Sequence, residues 1–462
     1  MTLVSRPLKV GLLMTNKLEV YLHQSSGGLP ERVSLSHIAD FKERYIYLYA
    51  GGASRPKFMK VEEMLNTEGE YIVYYHNALG RPSREADGIL TIRLLPPLPD
   101  GTTALVALFN SRQSSEPPQF VSFINFTRDV SSGEVQDFQE VTSFDTPALP
   151  YQGGVAFSPK RVNMAACYSW NISDANVASG SPIVDLFDSN FSRVDQFTFE
   201  NSPALTALNL SYSPDGRYLG VGVAGDYNGN PATLALFDVS KNRLELVDVI
   251  YTGGAGRKCG FHPTEPTVAV AHNPTIIFDS SGAFVGFAGA SLSICGISNR
   301  QLGLKSQVVL EDGSTNSAQF SPDGKRLISA TFTTNKIHLF SYANGHLEIL
   351  SELVFTDYPW EARWHPAGKY VAVVQRGNPQ LSILSTEGDE LSVVTTRSLG
   401  SRGMGVAFSE DGLTVFASVR SSGDRIFAFA FDPDTGNIST SADASYRGPA
   451  GSVHTTSIDV VT

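Results

Sequence analysis

The chain has 462 residues, 42% hydrophobic and only 18% charged, a composition that excludes a disordered polymer and supplies a large core. Its 35 Lys and Arg against 46 Asp and Glu give a net charge of −11, which repels nucleic-acid phosphates, and no run of Lys or Arg offers a local basic patch. Three scattered cysteines, Cys167, Cys259 and Cys295, form no C-x-x-C pair, which excludes a disulfide framework and argues against zinc.

At the N-terminus the apolar run Val10 to Met14 is too short for a secretion-signal core or a membrane span, and Lys17 and Glu19 follow at once. The expectation is cytoplasmic synthesis without a signal peptide and no membrane insertion. The sequons at Asn125, Asn171, Asn190, Asn209 and Asn437 then read as strand and turn residues. Residues 1–87 form an N-terminal region, in which "LKVGLLM" and "KLEVYL" read as strands able to help close a ring. Residues 40–87 fit no repeat and read as an insertion, a degenerate blade or an attachment element. The best helix candidate is short, around Met59 to Leu65.

From residue 88 to 452 the chain repeats. Six copies of one pattern read "VAFSPKRV", "LSYSPDGRYL", "CGFHPTEPTV", "AQFSPDGKRL", "ARWHPAGKYV" and "VAFSEDGLTV". Their aromatic slot is Phe157, Tyr212, Phe261, Phe320, Trp364 and Phe408, spaced by 55, 49, 59, 44 and 44 residues. A weaker seventh copy, "LLPPLPDGTTALVALF", begins at Leu94. Each turn is followed by apolar runs such as "ATLALFD" and "KIHLFS", rich in the β-branched and aromatic residues of half-buried strands. Four short strands at a period of about 40–60 residues predict an all-β fold, a propeller of four-stranded blades. The tail from Ser452 to Val461 reads as one more inner strand, so N- and C-terminal strands close the ring, with 453–462 as the closing element. Seven blades and eight both remain open.

The chemistry-bearing motifs are few. The chain has no G-x-S-x-G, no H-E-x-x-H and no phosphate-cradling Gly loop, and no cofactor is expected. His262 and His365 stand in the Ser slot of the repeated turn and read as turn caps. "DYNGNP" and "DPDTGN" offer Asp226, Asn228, Asp432 and Asp434 as weak Ca²⁺ candidates, but neither continues as a 12-residue ligand loop, and plain turns are expected.

Loop placement is more informative. In a propeller the loops before each first strand share a face with those between second and third strands. That face would gather Trp170, Tyr227, Arg257, Lys258, Tyr358, Trp360, Arg363 and Arg402, with Arg376 and Arg420. Aromatics and Arg are frequent interface anchors, so these residues are the binding-face candidates.

"VFASVRSSGDRIFAFAFDPDTGNIS" and "VAVVQRGNPQLSIL" resemble the lactonase-like and YVTN-type propellers, over roughly the last 250 residues. No Trp-Asp dipeptide ends a third strand, so the likeness is not to WD40 proper. In lactonase-type enzymes His, Glu and Arg side chains converge at the channel mouth. The resemblance places Arg376 and Arg420 in matching loop slots as catalytic candidates. The sequence nevertheless favours a non-enzymatic interaction or structural module. It would belong to a larger assembly such as a bacteriophage virion, capsid- or tail-associated, with protein partners. The alternatives are a lactonase-like hydrolase and a carbohydrate-binding propeller using Trp170, Tyr227 and Trp360.

Overall fold

The structure is a computed structural model that describes residues 104–108, 121–144, 153–168, 182–200, 205–273, 291–310, 313–421, 423–449 and 455–462, with strands elsewhere given by backbone alone. The chain divides into two compact units, residues 1–97 with 240–242, and residues 98–239 with 243–462.

The second unit contains seven four-stranded antiparallel sheets. Blade 2 is built from Gly153–Phe157, Asn163–Tyr168, Ile183–Asp188 and Arg193–Thr198. The inner strands of blades 3 to 7 are Thr206–Tyr212, Ala255–Phe261, Thr315–Phe320, Pro359–Trp364 and Arg402–Phe408. Each ends on the aromatic slot and returns through the repeated turn. Blade 1 joins the two ends of the unit: the tail strand His454–Val461 pairs with Ala104–Asn110, followed by Gln119–Arg128 and Val135–Thr146. The seven inner strands contact one another in a closed cycle around the channel. Closure seats each inner strand between its two neighbours around the channel.

Seven blades form, not eight. The tail strand does close the ring, but its partner is Ala104–Asn110, whereas Val10–Leu13 pairs with Pro82–Leu94 and Glu19–Leu22 with Glu31–Ser34. This explains why the copy at Leu94 is weak. Its turn is followed by its own second strand, while its first strand lies at the far end of the chain. In the first unit a five-stranded sheet runs Val10–Leu13, Pro82–Leu94, Gly69–His76, Tyr45–Ala50, Lys57–Lys60. The last of these strands occupies the start of the helix candidate at Met59, whose remainder lies outside the described residues.

The repeated turn works as a hydrogen-bonded clasp. In blade 5 the Ser321 hydroxyl donates to Asp323 Oδ1 (2.6 Å) and accepts the Arg326 N–H (3.0 Å). Blade 7 repeats this with Ser409 and Asp411. His262 and His365 take the Ser role: His262 Nδ1 accepts the Thr264 and Glu265 N–H groups, and His365 Nδ1 accepts that of Ala367. Their longer reach adds a second bond. Nε2 donates to the carbonyl of Gly324 (3.0 Å) or Gly412 (3.1 Å) in the next blade's turn. Both glycines sit at positive φ, 74° and 77°, and a Cβ on either would strike that imidazole. The same rings pack edge-on against the next aromatic slot, His262 on Phe320 at 4.9 Å and His365 on Phe408 at 5.1 Å.

Candidate functional site

A strand turns alternate side chains to one side, so positions one and three before the aromatic slot share a face. From blade 5, Ser317 Oγ accepts the Ala362 N–H (3.3 Å) and Gln319 Oε1 the Trp364 N–H (3.0 Å) on the neighbouring inner strand. From blade 1, Ser457 and Asp459 serve Val155 and Phe157 in the same way (3.4 and 2.8 Å). These two rungs are mostly small: Gly154, Ala156, Gly260, Gly405 and Ala407 bring neighbouring backbones together. Four charged residues break the pattern. Lys258 and Glu361 stand three places before their aromatic, Arg363 one place before, and Asp459 at the equivalent place in blade 1.

Lys258 belongs to blade 4 and Glu361 to blade 6, yet Lys258 Nζ donates to Glu361 Oε1. The pair therefore joins the two blades that flank blade 5 in the ring. Arg363 Nε donates to the same oxygen at 2.7 Å. A bulge supports this reach. Six of the seven inner strands shift register just before these rungs, at Gly256/Cys259 in blade 4 and at Pro359/Glu361 in blade 6. Such bulges re-aim the following side chains.

Both members of the pair are buried, Lys258 at 6% exposure and Glu361 at 4%. Burial, reinforced by the neighbouring Arg363, pushes the Lys258 ammonium down to about 8, although Glu361 opposes the shift. Burial alone would raise the Glu361 carboxyl, but Lys258 and Arg363 outweigh it and hold the group below its ordinary range. Asp459 behaves oppositely. It is partly exposed, and burial lifts its carboxyl above the usual range against the pull of Arg363, the Phe157 N–H and Lys258. One carboxylate is thus locked ionised while another is poised closer to neutrality, a divergence typical of acid–base sites. Cys259 beside them is inert, its thiol pushed by burial up to about 12.

Residues 317–454 match the family model "Lactonase, 7-bladed beta-propeller". Among solved structures the chain is similar to the periplasmic gluconolactonase PpgL of Pseudomonas aeruginosa, at 16% identity and TM-score 0.59, over 78% of this chain and 99% of that one. A candidate 6-phosphogluconolactonase of Bacteroides uniformis aligns at 14% identity and TM-score 0.57, over 78% and 99%. A protein from Lactobacillus plantarum aligns at 14% and TM-score 0.53, over 78% and 100%. No curated protein matches the sequence.

This is a seven-bladed propeller whose last blades resemble lactonases.

The assignment corrects the expectation of a non-enzymatic structural module in a virion. The match over the last blades is to lactonases, and the structural relatives include a gluconolactonase. The expectation of a platform rested on polar loops and on the lack of a recognised catalytic motif, neither of which excludes an enzyme on this fold.

The propeller distributes the binding-face candidates over two settings. Arg376 and Arg420 follow or end the second strands of blades 6 and 7, at the loop face. The Arg376 guanidinium lies 4.1 Å from the Trp360 ring centroid, and its backbone N–H donates to the Tyr358 carbonyl (2.9 Å). Tyr358 is 42% exposed. Arg402 and Arg420 are direct ladder partners. Tyr227 packs edge-on against Phe199 (5.7 Å) at a hairpin tip, where Asn228 and Gly229 turn with positive φ. Arg257 lies in the blade 4 bulge. Lys258 and Arg363 sit inside the channel rather than on loops. Trp170 lies outside the described residues. Asp432 accepts the Asp434 and Thr435 N–H groups and closes a turn.

Glu361 and Asp459 escaped sequence reasoning. A signal existed for Glu361: aligned on the aromatic slot, Lys258 and Glu361 occupy the same position with opposite charges. Asp459 lies in a strand without an aromatic slot, so its rung could not be counted.

Proposed function

We propose that this protein hydrolyses lactones in its channel. The observation that carries the reading is the cluster of Lys258, Glu361, Arg363 and Asp459 across a channel of otherwise uncharged rungs, in a chain whose last blades match a lactonase family. Asp459, whose pKa is raised, serves as general base and takes a proton from the attacking water. The water oxygen bonds to the lactone carbonyl carbon, and Lys258 and Arg363 stabilise the oxyanion that forms. The ring C–O bond then breaks, and the proton held by Asp459 passes to the departing alkoxide, giving the hydroxy acid. Glu361 orients both cations. Arg376 and Arg420, at the loop face, contact substrate oxygens on entry.

The test is a pH-stat assay of the full chain on glucono-δ-lactone, 6-phosphogluconolactone and an enol-lactone, corrected for spontaneous ring opening. The reading expects catalysed hydrolysis of at least one, lost by a hundredfold or more in Asp459→Asn. No rate above background on any of them overturns it.

A further inference from the structure

The charges of the channel cluster cancel. Lys258 and Arg363 face Glu361 and Asp459, and Glu361 accepts a hydrogen bond from each cation. Burial disfavours the Arg363 charge, but Glu361 and Asp459 outweigh it and raise its pKa. With both carboxylates ionised, the resting cluster is neutral.

The space beside the cluster is uncharged as well. At the end of the channel away from Arg376 and Arg420, a cavity of about 370 Å³ is lined by Lys258, Arg363, Ser211, Gln319 and the turn prolines. Among the described residues no third cation lines it. Gln319 Oε1 accepts the Trp364 N–H (3.0 Å), which leaves the amide nitrogen of this half-buried side chain without a partner among the described residues. Half-buried Ser211 offers a hydroxyl. Such dipoles suit hydroxyl and carbonyl groups, but they do not neutralise an anion brought out of water.

The balance changes during turnover. When Asp459 takes the proton of the attacking water, the cluster carries one net positive charge and the lactone carbonyl oxygen one negative charge. When that proton passes to the departing alkoxide, the cluster is neutral again. The product acid loses its own proton to water and becomes a carboxylate, with no net positive charge to hold it. Charge matching therefore exists only around the tetrahedral intermediate, where it lowers the barrier without tightening the ground state.

We propose that this channel is specific for lactones that carry no ionised group. The inference rests on the hydrolase reading and names its substrate class. A phosphate or carboxylate elsewhere on the ring would bring further negative charge beside Glu361 and Asp459, where the resting cluster has no cation to spare.

The test compares kcat/KM of the full chain for glucono-δ-lactone and for its 6-phosphate, which differ by that group alone. The uncharged lactone should be favoured by about tenfold or more, and gluconate should inhibit with a Ki about tenfold or more above the KM of the lactone. Ser211 shares its rung with Ala156 and Gly260, which leave room for a longer side chain. Ser211→Lys supplies the missing cation and should shift the ratio about fivefold or more toward the phosphate ester. Ser211→Met, of similar length and uncharged, should not shift it. Hydrolysis of neither lactone overturns the hydrolase reading and this inference together. Equal rates, or preference for the phosphate ester, overturn the inference and leave the hydrolase reading standing. A Ser211→Lys ratio equal to that of wild type, or an equal shift in Ser211→Met, shows that charge does not set the preference and overturns it too. Gluconate binding as tightly as the lactone contradicts the neutral resting cluster.

Discussion

Lys258 and Glu361 meet across the channel, from blades that are not neighbours, with the inner strand of blade 5 between their own in the ring. The contact ties ring geometry to channel electrostatics. Removing one partner leaves a buried charge unpaired. Glu361→Gln leaves Lys258 and Arg363 facing each other unneutralised. It should lower stability by about 3–5 kcal/mol, read from urea unfolding. The double variant Lys258→Met, Glu361→Leu should recover most of that loss, because replacing a buried ion pair by apolar groups is often neutral. Additive losses in the double variant would show that the pair is not coupled.

The pH dependence of stability follows from Lys258. Its folded pKa, about 8, lies below the unfolded value near 10.5. Between those values the unfolded chain binds more protons, so this group makes stability rise with pH across that window. Its contribution is complete above the unfolded pKa and is lost as pH falls through about 8. Unfolding midpoints of wild type and Lys258→Met, measured from pH 7 to 11, should differ in slope over that range. Parallel curves would contradict the assignment.

His365 joins two blades through one ring. His365→Ala leaves the Ala367 N–H and the Gly412 carbonyl without their partner, an expected loss of about 1–3 kcal/mol. His365→Ser keeps the turn clasp but not the inter-blade bond, so it should lie between wild type and Ala. Burial also lowers the His365 pKa against the bond to Gly412 and the charge of Asp411. With the folded pKa depressed, the neutral ring's contribution is present above the unfolded pKa and is lost as pH falls through the folded one. Acid unfolding of His365→Ser, with no ring to charge, should lack that component.

The seam between first and last blades should control the whole ring. Arg128 makes a two-pronged bond to Asp411 (2.9 and 2.5 Å), and Thr414 Oγ1 donates to the Gly133 carbonyl (2.5 Å). Deleting residues 454–462 removes the inner strand of blade 1, uncovers the edge of Ala104–Asn110 and opens the ring. The truncated chain should aggregate or lose its cooperative thermal transition. A soluble chain with the wild-type melting temperature would show that closure is dispensable.

How much of this was legible in the chain can be judged at Phe320, Glu361 and the tail. Phe320 ends a run whose turn is set by local chemistry, Ser-Pro-Asp-Gly, and local chemistry repeats visibly. The blade pattern and the lactonase-like resemblance rest on such slots. Glu361 was not legible as a site residue because its partner is 103 positions away and on a non-adjacent blade. Only ring closure brings them together. The tail was readable as an inner strand, but not its pairing with Ala104–Asn110, since any hydrophobic strand could have filled that edge. The virion expectation failed because it rested on analogy with other propellers, and a shared fold does not carry a shared role.

The most direct measurement is the pH–rate profile of lactone hydrolysis by wild type, Asp459→Asn and Lys258→Met. Wild type should give a bell, its acid limb set by protonation of Asp459 and its alkaline limb near pH 8 by loss of the Lys258 charge. Asp459→Asn should lose the rate together with the acid limb, and Lys258→Met should lack the alkaline limb. A profile unchanged in both variants would place any hydrolysis elsewhere and contradict the channel as the site.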